Sequence, residues 1–253
     1  MLQKRIIPLL QIQNDCLVKS KNFKKFTYIG DPINSIRIFN DKFVNEILLV
    51  DVNCTISKNK INYDLIRDIA SECFIPLGYG GGVSSISDAR KILNCGIEKI
   101  VINSHFLRKP NFILELSKYI GSQSVVVSID YKYNIFRKPQ VYSKTVKKLP
   151  NNCPIQLALL AESLGAGEIF INCITNDGTY NGLDNNYLKI LLSQLKIPLI
   201  PCGGIGSFNH ICESILAGFD AVSAGSYFVL TGKNKAVLIS YLSNDQINIV
   251  NKL

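Results

Sequence analysis

The chain has no apolar run of about 18 residues, the length a membrane-crossing helix requires, so no transmembrane segment is expected. Nor does it have a CxxC pair. Its eight cysteines lie scattered at 16, 54, 73, 95, 153, 173, 202 and 212, several inside apolar strand or helix patterns where cysteine behaves as a small hydrophobe. Reduced, buried thiols with no disulfide or metal role imply a cytoplasmic protein. The pattern reaches its first strand within five residues, so no secretory signal is expected. An Arg-rich stripe is missing too. The net charge of +9 comes from lysines such as Lys21, Lys24, Lys25, Lys58, Lys60, Lys144, Lys147 and Lys148, which read as spread over loops and helix faces. That excludes a nucleic-acid footprint and suggests a solvated basic surface, one that would still attract phosphorylated or acidic substrates.

What is present is enough for one large core: 253 residues, 47% of them hydrophobic, with mixed charges. Short apolar strands are expected near 5–11, 46–52, 75–80, 99–103, 124–130, 167–172, 197–202 and 220–225. Continuous runs such as EILLVDV and SVVVSID mark strands buried on both faces, as in parallel sheets. Helical patterns lie between them, including INYDLIRDIASEC, ISDARKILNCG, PIQLALLAESLG and FNHICESILAG. Two of these stop at Gly96 and Gly218, suited to left-handed caps. Eight strand–helix units in this length predict a single α/β domain, a (β/α)8 TIM barrel. A doubly wound sheet is the alternative, but no GxGxxG follows the first strand.

An internal repeat favours the barrel. Residues 75–106 align without gaps to residues 197–228 at an offset of 122, near half the chain, which suggests half-barrels of about 1–122 and 123–253. Each copy carries a glycine pair at a strand end, Gly81-Gly82 and Gly203-Gly204. Each also carries a small polar pair one strand later, Asn103-Ser104 and Gly225-Ser226. Such groups either make tight turns only or close backbone N–H donors around a phosphate. Duplication favours phosphate, and a ligand phosphorylated at both ends would fit across the mouth. A similar offset, 119, superposes Gln11 on Asp130.

The stretches KRIIP (4–8), GDP (30–32), GGGV (80–83), GSQSVVVSID (121–130), GAGEI (165–169), DGT (177–179) and GGIG (203–206) make the chain resemble a known family throughout its length. It is similar to the cyclase subunit of imidazole glycerol phosphate synthase. The resemblance implies a heterodimer with a glutaminase subunit, whose ammonia travels along the barrel axis to a bis-phosphorylated ribosyl substrate. No metal and no other cofactor is implied, and neither nucleic acid nor membrane is an expected partner.

Position by position, Arg5, Glu46, Lys99 and Glu168 match family residues that gate the ammonia entrance at the barrel base. Two cations and two anions there compensate one another, which lowers the cost of burial; a structural plug is the other reading. Glu98 would lie on the rim facing the glutaminase. The phosphate positions match through Gly82, Asn103, Ser104, Asp177, Gly178, Gly204, Gly225 and Ser226. Lys19 matches the lysine of a mobile first loop over the substrate, and Asp51 an acid at the end of strand 2. Asp130 matches one of two catalytic aspartates. The other is absent: its position holds Gln11. A further acidic residue of the family is replaced by Thr175, and residues 133–153 differ from the usual fifth loop.

Imidazole closure needs proton transfers, and a glutamine amide cannot change charge. Losing a general acid or base typically costs about a hundredfold to ten-thousandfold in rate. Ammonia conduction asks nothing of that position. Two expectations follow. The first is a divergent subunit of the branch that amidates sugars in surface-polysaccharide or flagellin-glycan pathways, beside a separate sugar amidotransferase. The second is an authentic cyclase of histidine biosynthesis. The related two-phosphate sugar isomerase is a third candidate, but it has no need of a charged base ring.

Overall fold

The computed structural model describes all residues except 1–3, 43, 58–59, 148 and 150–151. Lys58 and Lys148 therefore lie outside the described residues. Eight parallel strands form the expected barrel: β1 Arg5–Gln13, β2 Ile47–Asp51, β3 Leu77–Gly80, β4 Lys99–Ile102, β5 Val125–Tyr133, β6 Glu168–Cys173, β7 Leu199–Cys202 and β8 Ala221–Ala224. The ring closes where Arg5 to Pro8 pair in parallel with Ala221 to Ala224. Each expected strand is present within a few residues of its predicted bounds.

The helices α1 Pro32–Asn40, α2 Tyr63–Ser71, α3 Ile86–Asn94, α4 Phe112–Ile120, α5 Pro154–Ser163, α6 Asn185–Leu192, α7 Phe208–Leu216 and α8 Asn244–Val250 cover the outside. Local chemistry sets their ends. Asn62, Ser85 and Ser207 each accept the N–H of the third helical residue of α2, α3 and α7, satisfying one of the donors a helix start leaves open. Gly96 and Gly218 follow α3 and α7 at φ +103° and +101°, which terminates both helices as the sequence predicts.

Strand alternation divides the apolar residues between two layers. On β1, Ile6, Leu10 and Ile12 face the helices, whereas Ile7 and Leu9 join Leu48, Val101, Val126, Phe170 and Ile200 in the lumen. This packed lumen separates a base, where the strands begin, from a mouth, where they end.

Two arms rise over the mouth. In the first, strands Cys16–Lys21 and Lys25–Gly30 form an antiparallel hairpin, and Val18 pairs with Gln11 of β1. In the second, the end of β5 pairs with Pro139–Val141, after which residues 142–147 cross toward Ser104. Lysines that read as scattered in sequence are thus gathered in space, because arms more than 100 residues apart meet at one face. Segments 16–30 and 131–147 hold four and five Lys or Arg residues and no carboxylate. These nine equal the net charge, so the remaining 19 cations balance 19 carboxylates.

Candidate functional site

At the base, Arg5, Glu46, Lys99 and Glu168 form a closed ring. Arg5 reaches Glu46 through Nη1 (2.6 Å) and Glu168 through Nη2 (2.8 Å). Lys99 Nζ reaches the remaining oxygen of each, at 2.9 Å and 2.9 Å. Each carboxylate therefore bridges both cations, and every carboxylate oxygen has one charged partner. Burial alone would lower the Arg5 pKa, but Glu168 and Glu46 outweigh it and raise the value. Glu98 is exposed beside the ring, on the outer rim. Above it the lumen is lined mainly by apolar side chains as far as the mouth, with the Ser223 hydroxyl turned to the Ile7 carbonyl.

The mouth has two unlike flanks. Over β2 to β5 lies a cavity of about 170 Å³. Asp51, Gly82, Asn103, Ser104 and Asp130, all expected site residues, line it. Asp51 Oδ1 accepts the N–H of Asn53 and Cys54 at 2.9 and 2.8 Å, shaping the loop beneath Gly82, and burial raises its pKa. Gly82 has φ +69°, and a Cβ there would collide with Cys54 Sγ, so glycine is required for this turn. Asp130 is half-buried and borders the cavity. Its carboxylate accepts Asn103 Nδ2 at 2.9 Å and Asn172 Nδ2 at 3.2 Å. Burial pushes its pKa up to about 6, against the pull of both amides. The nearby Asp177 raises it further and Lys144 lowers it.

The other flank, over β6 to β8 and β1, is occupied by the first arm. Lys19, matched by resemblance to the lysine of the first loop over the substrate, lies in the strand Cys16–Lys21 with 3% exposure, because the arm pairs with β1. Its ammonium reaches Asp177 Oδ1 and the Ser20 carbonyl, both at 2.8 Å. The Lys19 stem packs on Gly225; Gly178 packs against Ser20 and Lys21. Gly204, at φ +115°, lies so close beneath the Gly182 carbonyl that no Cβ fits. Ser226 is buried near Tyr180. Gln11 borders the cavity, but its side-chain oxygen accepts the Ser20 N–H at 2.9 Å. None of Lys19, Asp177, Gly178, Gly204, Gly225 and Ser226 lines the cavity.

The structure thus brings the expected residues to three places: the base ring, the open flank and the closed flank. It also adds groups that sequence reasoning missed. Asn172, at the end of β6, holds Asp130, and β5–β6 register alone places them side by side. Thr145 donates to Ser104 at 3.0 Å, and Lys144 donates to the Phe23 carbonyl at 2.7 Å, joining the two arms. His105, next to Ser104, and Arg108, one turn beyond it, line the cavity, positions the Asn-Ser pair could have flagged. Thr175 Oγ1 accepts the Tyr133 N–H at 3.3 Å. Among the described residues no cluster of His, Cys, Asp and Glu has metal-binding geometry, and no helix is long and apolar enough to cross a membrane.

The model of the histidine biosynthesis protein family matches residues 5–234. A Pseudomonas aeruginosa protein provisionally named imidazole glycerol phosphate synthase subunit hisF2 is 40% identical over 256 residues, covering 98% of this chain and 100% of the relative. A similarly named Campylobacter jejuni hisF2 is 40% identical over 230 residues, 90% of each chain. The imidazole glycerol phosphate synthase subunit HisF of Thermococcus onnurineus is 34% identical over 228 residues, also 90% of each.

Proposed function

Because the chain belongs to the histidine biosynthesis protein family and is HisF-like throughout, we propose that its barrel receives ammonia from a glutaminase partner and serves amidation of a sugar in O-antigen or flagellin-glycan synthesis. The observation that carries this reading is a contrast within one molecule. The charged base is complete, while the position opposite Asp130 holds a glutamine committed to a backbone hydrogen bond.

The chemistry follows from the layers. Ammonia is neutral and small, so an apolar lumen imposes little desolvation cost while excluding water and ions. The glutaminase docks on the base, against the rim that carries Glu98. Lys99 is the ring member suited to move. Its ammonium is a point charge on a flexible stem, whereas the Arg5 fork holds both carboxylates at once. If Lys99 swings aside, Arg5 still compensates Glu46 and Glu168. At the mouth, Asp130 with a pKa of about 6 is largely ionised near neutral pH and can accept a hydrogen bond from emerging ammonia. A separate sugar amidotransferase then takes up the ammonia.

That same Asp130 favours a second reading, an authentic cyclase subunit of histidine biosynthesis in which one carboxylate suffices. Purified protein, ammonium salt and the bis-phosphorylated ribosyl intermediate separate the two: robust turnover would sink the conduit reading. Glutamine-dependent amidation that survives Lys99→Ala unchanged would sink the gate.

A further inference from the structure

The repeat suggests two phosphate cradles, yet the two copies differ in what already fills them. We propose that the mouth takes a ligand with a single phosphate, seated at Gly82, Asn103 and Ser104, because the first arm is latched over the equivalent cradle by Gln11 and the Lys19–Asp177 pair. The inference rests on reading the mouth as a site for phosphorylated ligands.

Each group of the second cradle is engaged within the chain. Lys19 covers Gly225, Ser226 is buried, and the Gly182 carbonyl covers Gly204. Asp177, 5% exposed, contributes an anion of its own. A phosphate entering there must detach Lys19 from that carboxylate, and the freed carboxylate would then face a dianion. The intact pair has no net charge to offer. On the open flank the balance reverses. Arg108 makes no ion pair among the described residues and borders the cavity beside Ser104, whose hydroxyl accepts from Thr145 and keeps its own proton to give, although the Gly82 N–H is already turned to Thr55 Oγ1. An arginine free to meet a phosphate bidentately, with the Ser104 hydroxyl alongside, is suited to one anionic group.

The latch also gives Gln11 a role. Its side chain is long enough for Oε1 to reach the Ser20 N–H, next to the residue whose ammonium binds Asp177. An aspartate in its place is one methylene shorter and charged. It would give up the Ser20 contact and compete with Asp177 for Lys19. Asn22 adds to the closure, donating its amide to the carbonyls of Ile174 and Thr175 at 2.9 and 2.8 Å. A bis-phosphorylated ligand therefore gains nothing from its second phosphate unless the arm opens.

Amide chemical shifts read each cradle separately. The protein is titrated with inorganic phosphate, fructose 6-phosphate and fructose 1,6-bisphosphate, following the amides of 82, 103 and 104 against those of 204, 225 and 226. The expected result is saturable shifts in the first set alone, and affinities for the two sugar phosphates within about twofold, the statistical factor for two equivalent ends. Gln11→Leu, and independently Asn22→Ala, each of which loosens the arm and keeps Lys19, should make the second set responsive. Saturation of both sets in the unaltered protein, a bisphosphate bound more than tenfold tighter, or a second set silent in both variants overturns the inference alone. Silence of both sets with every probe overturns it together with the phosphate reading.

Discussion

The two flanks of the mouth descend from one repeated pattern and have ended in opposite physical states. On the Asp130 flank the glycines, hydroxyls and amides border a cavity, and the carboxylate is held only by neutral amide donors. On the Gln11 flank the equivalent groups are covered by an arm whose one buried cation is already paired. Equal backbone geometry therefore does not make equal sites. What decides is whether the polar groups keep unspent hydrogen-bonding capacity and whether charge near them is left uncompensated.

The comparison breaks most severely at Lys19. Replacing it by methionine leaves Asp177 buried without its cation, a change that costs about 3–5 kcal/mol for buried pairs. Hydrogen exchange at the amides of residues 18–20 should accelerate accordingly, while Arg108→Ala on the open flank should stay within about 0.5 kcal/mol. Next comes pH. The Asp130 carboxyl has its folded pKa raised from 3.8 to about 6, so the folded state holds the proton more tightly than the unfolded chain. Its stabilising contribution is fully present below about pH 4 and is lost as pH rises through about 6. Two units correspond to about 3 kcal/mol, and water in the adjoining cavity screens part of this, so a fall of about 2 kcal/mol is expected. Urea unfolding at pH 4.5 and 7 measures it, and carboxyl NMR should place the Asp130 midpoint near 6. Gln11→Leu leaves the Ser20 N–H without its acceptor and should cost about 1–2 kcal/mol, seen as faster exchange of the first arm with little change in the barrel strands. Smallest is Thr145→Val, which removes one hydroxyl bond to Ser104 and should cost about 0.5–1 kcal/mol in the same unfolding assay.

The eight barrel strands were legible because a parallel strand buried on both faces reads as an uninterrupted apolar run, independent of its neighbours. The helix ends at Gly96 and Gly218 were legible for a similarly local reason. The arms were not. CLVKSK and KFTYIG carry no continuous apolar run, and their strand character comes from pairing with each other and with β1. The types at the base ring could be matched by resemblance, but its closure depends on four side chains from β1, β4, β6 and the approach to β2. Least legible was the Lys19–Asp177 contact, which spans 158 residues and makes one of two similar cradles unlike the other.

The arms also give the molecule a direction. With nine cations and no carboxylate in the two mouth segments, and balanced charge elsewhere, the barrel is an electrically neutral cylinder with a positive head. At physiological ionic strength the field of that head fades over about 8 Å, too short to attract from afar but long enough to turn a body already nearby. Anions and acidic surfaces that drift close thus meet the head more often than the flanks, and electroneutral encounters are left to the base. One end of the molecule is sensitive to salt and the other is not, so ionic strength alone should separate what binds above from what binds below.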